Sequence, residues 1–266
     1  PPPPPPRAGG GGGGGGPTPP APPPRPPPPP AVSRNIPHMD AIILAAGKGT
    51  RLRPYTNDTP KPLLPVQGRP ILDWIIGALP PVDRLVVVVN YLAEHIEAYL
   101  KTQTHVRHWT TVRQTEPRGT GDALMACNGH TTSDAVMVLN GDDLIGRADL
   151  TALAAVPAGI LVHPVDKPDA FGIVFPNPDG TLNEIREKPK GLTAPQLANI
   201  GGYVFPKSVF DLTLTLSERG EYEITEAVAL LAAKAPFHVV RSNYWLPIGD
   251  INQWCWSQLK DVGPVR

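Results

Sequence analysis

The residues of this chain that can do chemistry fall into short stretches, each placed behind an apolar run. The first reads Leu44-Ala45-Ala46-Gly47-Lys48-Gly49-Thr50-Arg51-Leu52-Arg53-Pro54. Ala46, Gly47, Gly49 and Thr50 let the backbone come close to a ligand, and successive N–H groups in such a loop form an anion-binding concavity. Lys48 and Arg51 add positive charge. Ten residues after Arg51 stands Lys61, in Thr59-Pro60-Lys61-Pro62-Leu63-Leu64-Pro65. Prolines on both sides stiffen it in an extended path. A rigid lysine facing a glycine loop suits a phosphate clamp. The spacing is not that of a Walker A loop, and no G-x-G-x-x-G opens a helix as a dinucleotide fingerprint would.

Two further stretches carry polar groups. Gln114-Thr115-Glu116-Pro117-Arg118-Gly119-Thr120-Gly121 follows a strand-like segment. A glutamine amide offers a donor and an acceptor, which suits the N3–H and O4 edge of uracil or thymine. Gly119 and Gly121 would let the backbone lie against a flat base. Asn140-Gly141-Asp142-Asp143 ends another buried run. Open parallel sheets bind ligands at the carboxyl ends of their strands, and a carboxylate there suits Mg²⁺, a hard ion that takes oxygen ligands. Asp143 also suits a cap on the next segment. The histidines form no H-x-x-x-H pair and read as structural or surface residues.

The elements that must position these groups follow from periodicity. Strands are expected at 41–45, 84–90, 105–113 and 135–139, with helices at 70–79, 92–101 and 120–129. This alternation predicts a parallel, right-handed, doubly wound sheet. The second half changes character. Strands are expected at 160–165, 171–175, 181–187, 199–205 and near 237–246, and helices at 207–216, 223–234 and 250–261. An α/β half thus carries a mixed β half.

Taken together, residues 41–54 and Lys61-Pro62-Leu63-Leu64-Pro65-Val66 resemble the signature of the sugar-phosphate nucleotidyltransferases. That family makes nucleoside-diphosphate sugars from a nucleoside triphosphate and a sugar 1-phosphate. The resemblance continues to about residue 255. It implies a Rossmann-like, mostly parallel sheet with an inserted mixed β part that binds the sugar. It implies Arg51 and Lys61 as catalytic residues. Ala46, Gly47, Gly49, Thr50, Gln114, Gly119 and Thr120 would line the nucleotide. Gly172 of Phe171-Gly172-Ile173-Val174, Glu187 and Lys188 of Glu184-Ile185-Arg186-Glu187-Lys188-Pro189, and Gly201 would meet the sugar phosphate. Gly172 would lay its backbone against the sugar ring. Mg²⁺ would be the cofactor, held by Asp142 and Asp250. Asp250 lies in Trp245-Leu246-Pro247-Ile248-Gly249-Asp250-Ile251, similar to the family's W-x-x-I-G-T region; the alternative for it is an N-cap of the last helix. Tyr203 suits either the sugar pocket or the core. Glu221-Tyr222-Glu223-Ile224-Thr225 resembles the family's E-Y-x-I-T segment, a pocket wall. The implied substrates are UTP or dTTP with glucose 1-phosphate, then N-acetylglucosamine 1-phosphate; a guanylyltransferase and a non-catalytic nucleotide-sugar sensor are the alternatives. Homo-oligomers could form through the β half.

Composition excludes other classes. Residues 1–38 hold 18 of the 37 prolines and 8 of the 26 glycines. They read as a disordered tail that cannot offset its chain entropy, with the natural start expected at Met39. The nucleotidyltransferase domain is expected over residues 39–266. That part has 21 basic and 24 acidic side chains, which argues against a nucleic-acid partner. No apolar run approaches the roughly 18 residues of a membrane span. No signal core is present, so a cytoplasmic location is expected. Cys127 and Cys255 match no zinc spacing and are expected to pack as small apolar residues.

Overall fold

Strands that are apolar on both faces need helices on both sides of their sheet. This rule organises the computed structural model, which describes residues 2–3 and 38–266. Apart from residues 2–3 and 38, the expected tail lies outside the described residues. The first half runs through β1 (Met39–Leu44), β2 (Pro65–Val66), β3 (Arg69–Pro70), α1 (Ile71–Ala78), β4 (Arg84–Val89), α2 (Ala93–Leu100), β5 (Trp109–Arg113), α3 (Thr120–Met125) and β6 (Ala135–Asn140). The second half runs through β7 (Asp143–Ile145), α4 (Arg147–Ala154), β8 (Gly159–Val165), β9 (Gly172–Pro176), β10 (Leu182–Glu187), β11 (Gln196–Pro206), α5 (Ile224–Ala232), β12 (His238–Arg241), β13 (Trp245–Pro247) and α6 (Ile251–Ser257).

The four expected strands of the first half are parallel, in the order β6-β1-β4-β5. Ile42 pairs with Val86 on one side and Val138 on the other. Alternation sends neighbouring residues to opposite faces. Ala41, Ile43, Leu85, Val87 and Leu139 face α1, α2 and α4. Ile42, Val86, Val88 and Val138 face α3 and α5. The long β11 then joins β6 antiparallel, pairs with β8 and β9, and leads to β10 at the edge. The fold is therefore a doubly wound α/β sheet with a parallel core and an antiparallel flank.

Several expectations needed correction. The strand at 105–113 begins only at Trp109. The helix at 207–216 is a short 3₁₀ turn over Lys207–Asp211, followed by extended chain that bridges Leu216 to Tyr222. The alternation Leu212, Leu214, Leu216 carries a period of two, which a helix does not want. The small elements β7 and α4 were not anticipated. Cys127 is buried, and burial pushes its thiol up to about 12, but Cys255 is exposed. Among the described residues no helix is long and apolar enough to cross a membrane.

The turn before β13 depends on one buried carboxylate. Asp149 of α4 accepts hydrogen bonds from Ser242 Oγ at 3.1 Å, Asn243 N at 3.1 Å, Asn243 Nδ2 at 3.0 Å and Tyr244 N at 2.9 Å. Asp149→Ala removes the shared acceptor of the Asn243 and Tyr244 N–H groups, while Ser242 Oγ keeps Tyr244 O at 2.9 Å. Urea unfolding should show a loss of about 3 kcal/mol with an unchanged denaturant slope.

Candidate active site

Three loops meet at the carboxyl ends of the parallel strands, tied by backbone bonds. Ala45 N donates to Val88 O at 2.9 Å, Gln114 N to Val89 O at 3.0 Å, and Gly141 N to Leu44 O at 3.0 Å. Between them opens a cavity of about 370 Å³, within the usual range for small-ligand sites. Ala46, Gly47, Gly49, Thr50, Arg51, Lys61, Gln114, Gly119, Thr120 and Asp142 all line it. Asn140, not singled out from the sequence, lines it too, as does Glu221 of the segment expected as a pocket wall.

Lys61 is the buried cation of this cavity. It opens the 3₁₀ turn Lys61–Leu63, with Pro60 before it and Pro62 after it. Its Nζ lies 2.7 Å from Asp142 Oδ2, with only 7% of the lysine side chain exposed against 38% of the aspartate. A buried ammonium without a counter-charge is costly, and Asp142 supplies that charge. Gly49 adopts a left-handed φ of 60°. A β-carbon there would stand 3.0 Å from Thr56 and 3.1 Å from the Lys61 stem, so glycine lets the loop close over the lysine. Arg51 is exposed at the rim, beside Gly249, and makes no ion pair among the described residues.

Gln114 is buried, and its role is narrower than expected. Its Nε2 donates to Gly119 O at 3.0 Å and to Asp122 Oδ2 at 2.9 Å. Both amide hydrogens are thus used within the loop. The carbonyl oxygen remains as an acceptor, so only half of the expected donor–acceptor pair faces a ligand. The glycines also differ from expectation. Gly119 and Gly121 have no room for a side chain because the Tyr222 backbone packs against them, and Gly121 N donates to Tyr222 O at 2.8 Å. Their closeness to protein backbone, rather than to a base, explains the glycines. Thr120 Oγ1 accepts from Ile224 N at 3.2 Å and joins the same segment.

The acidic groups divide. Asp142 Oδ1 has no protein partner among the described residues. Asp143 does not cap a helix. It sits in β7, where Oδ2 accepts from Trp245 Nε1 at 3.2 Å and Oδ1 from Ile248 N at 3.2 Å. Burial, and then the neighbouring Asp142 charge, raises its carboxyl to about 7. Asp250 is the N-cap of α6 and accepts from Gln253 N at 2.9 Å. The cap engages only Oδ1, and Asp250 is not among the residues that line the cavity. Among the described residues no three His, Cys, Asp or Glu side chains stand close enough to hold a metal ion unaided. Magnesium commonly takes one or two carboxylates plus substrate phosphates, and a single open Asp142 oxygen beside a phosphate loop fits that pattern.

A second cavity of about 250 Å³ includes Glu187, Ser217, Glu223 and Thr225 in its lining. Arg219, which sequence reasoning passed over, reaches into this acidic group. Its Nη1 lies 3.4 Å from Glu187 Oε1 and 3.2 Å from Glu223 Oε1. Lys188 Nζ is 3.8 Å from the same Glu187 oxygen. Gly172 is buried, and a β-carbon on it would lie 3.0 Å from Glu187 Oε2, so the glycine leaves room for that carboxylate. Gly201 packs on the Asn140 side chain. Tyr203 is a core residue, 2% exposed, stacked on Phe205. The segment Glu221–Glu223 walls both cavities, Glu221 facing the first and Glu223 the second.

The model of the nucleotidyl transferase family matches residues 40–261. A bifunctional protein GlmU from Methanococcus aeolicus is 38% identical over 217 residues, which are 79% of this chain and 51% of that protein. The chain thus spans about half the length of the first curated relatives it matches. UTP–glucose-1-phosphate uridylyltransferase AglF from Haloferax volcanii is 36% identical over 73% of this chain and 83% of its own length. Among solved structures, UDP-glucose pyrophosphorylase in complex with UDP-glucose superposes with a TM-score of 0.75 at 18% identity, covering 84% of this chain and 97% of that one. That match speaks for the fold alone. A putative glucose-1-phosphate thymidylyltransferase from Bacillus anthracis gives a TM-score of 0.72 at 25% identity, over 85% of this chain and 98% of that one.

The raised Asp143 carboxyl has a measurable consequence. An unfolded aspartate titrates near about 3.9, so between that value and about 7 the folded chain binds a proton that the unfolded chain has lost. Stability falls with rising pH across this window and is level above it. Asp143→Asn removes the titration and keeps an acceptor for one of the two donors, Trp245 Nε1 or Ile248 N, so its offset from the parent does not itself depend on pH. In EDTA, the stability of the variant relative to the parent should rise between pH 4 and pH 7. A constant difference would contradict the assignment.

Proposed function

Since the chain belongs to the nucleotidyl transferase family, we propose that it is a magnesium-dependent sugar-1-phosphate nucleotidyltransferase. In this reading it uses UTP or dTTP, favours glucose 1-phosphate, and releases a nucleoside-diphosphate sugar and pyrophosphate. The observation that carries the proposal is the convergence of Arg51, Lys61 and Asp142 on one cavity at the strand ends.

In the reaction, a phosphate oxygen of the sugar 1-phosphate attacks the α-phosphorus in line. The new P–O bond forms as the bond to the bridging oxygen breaks, and pyrophosphate carries away that electron pair. No protein nucleophile is needed; the chain must align two anions and offset the growing charge. Lys61 would meet the α-phosphate from its rigid turn. Arg51, free at the rim, would fold onto the triphosphate and the leaving pyrophosphate. The Ala46–Thr50 loop would offer backbone N–H groups. Lys188 and Arg219 would steer the sugar phosphate, and Glu187 would accept from sugar hydroxyls. A magnesium ion held by Asp142 would supply further neutralisation of phosphate charge.

The Gln114 carbonyl oxygen supports a uracil or thymine ring, because N3–H of these bases is a donor while N3 of cytosine is an acceptor. The relative AglF, named for UTP and glucose 1-phosphate, supports glucose as the first acceptor. The wording Gly119-Thr120-Gly121-Asp122-Ala123-Leu124 keeps N-acetylglucosamine 1-phosphate as the second. A sensing subunit without activity is disfavoured by the retained charged set.

Pyrophosphate release should be measured for each triphosphate against each sugar phosphate. UTP or dTTP should exceed CTP by at least about tenfold, and EDTA should abolish turnover. Arg51→Ala should lower kcat by about 10²–10³ without moving the melting temperature, because Arg51 is exposed and has no ion pair to lose. Release no faster than without enzyme, for every pair of substrates, would refute the assignment.

A further inference from the structure

Lys61 and a divalent ion have claims on the same group. Lys61 Nζ stands 2.7 Å from Asp142 Oδ2, and no other carboxylate lies within ion-pair distance of it among the described residues. The ammonium is almost entirely buried, so it must always have an anion beside it. Its reach is limited by the prolines on either side and by the packing of its stem against the Gly49 loop. The neighbouring carboxylates cannot take over. Asp143 is engaged by Trp245 and Ile248, and Asp250 by the first turn of α6.

We propose that the Lys61–Asp142 pair is an exchange device that makes the metal and the triphosphate enter together. A cation arriving alone on Asp142 meets the lysine charge and strips the buried ammonium of its partner. A triphosphate arriving alone meets a lysine already neutralised and the Asp142 charge beside it. Arriving together, the phosphate takes Lys61 while the ion takes Asp142, and no buried charge is left unpaired. Each ligand then raises the affinity of the other by the same factor, as linkage requires. The inference rests on the triphosphate reading of the cavity, but it concerns binding and needs no turnover.

The full chain can be titrated with manganese(II) as the probe, free ion being followed by electron paramagnetic resonance. Without nucleotide the parent should bind weakly at this site, and UTP should tighten binding at least about tenfold. Lys61→Met, without nucleotide, should bind manganese at least about tenfold more tightly than the parent. Asp142→Asn added to Lys61→Met should remove that gain. Equal affinities in the parent and Lys61→Met would overturn the exchange. Should Lys61→Met fail to fold, calorimetry of UTP in EDTA decides with a different variant. Asp142→Asn should bind the metal-free nucleotide about tenfold more tightly than the parent, and equal or weaker binding would overturn the proposal. Failure of the parent reading would instead appear as a lack of pyrophosphate release by the parent protein.

Discussion

One ion pair sets the terms for the rest of the site: Lys61 with Asp142, 81 residues apart in the chain. A lysine with 7% of its side chain exposed is tolerable only where a carboxylate is held against it. The fold meets this by placing β1 beside β6. The loop after β1 brings the lysine turn into reach, and the tight turn after β6 presents the aspartate. Gly141 makes the second half possible, because its N–H bonds to Leu44 O and a side chain there would strike that same carbonyl. The strand order is therefore part of the chemistry, since no other neighbour of β1 ends in an acid.

The remaining contacts keep that pair in register with a second, acidic cavity. The long β11 pairs with β6 at one end and with β8 and β9 at the other, so the parallel core and the antiparallel flank share a single strand. The Glu221–Glu223 segment does the same on the opposite wall, with Tyr222 backbone pressed onto Gly119 and Gly121. A displacement of this segment would be felt in both cavities, because alternate residues of an extended chain face opposite ways. If the proposed function holds, this gives a physical reason for two substrates to sense each other without a moving domain.

Much of this was legible in the residues. The continuous valines of β4 announced a strand buried on both faces, and the glycine loop and proline-flanked lysine announced residues that the structure gathers on one cavity. Both signals are local, and local signals survive in a sequence. What was not legible depended on partners distant in the chain. Gly119 looked like a base platform because nothing in its neighbourhood reveals that Tyr222 packs on it. Arg219 was passed over because its partner Glu187 lies 32 residues away in the chain. Asp250 carried two readings, ligand and cap, and the cap is the one with a visible partner, Gln253 N. The stretch after Asp211 was misread as helix although its leucines alternate.

The division of labour between the two halves follows from their strand geometry. Parallel strands end together, and their loops project backbone N–H groups and charges toward one crevice, which suits a polyanion whose recognition is mostly electrostatic. Antiparallel strands expose side chains from alternate positions along a face, which suits a ring with hydroxyls on several sides. Glu187 at the end of β10 and Gly172 at the start of β9 are directly opposite in register, so the carboxylate occupies the space that the glycine leaves. Acceptor specificity on this scaffold is then a matter of which side chains β9, β10 and the 215–223 segment present. In the proposed function the phosphate chemistry would stay with β1, β6 and the loops they carry. A change of sugar would then proceed by substitutions in the flank that leave Lys61 and Asp142 untouched.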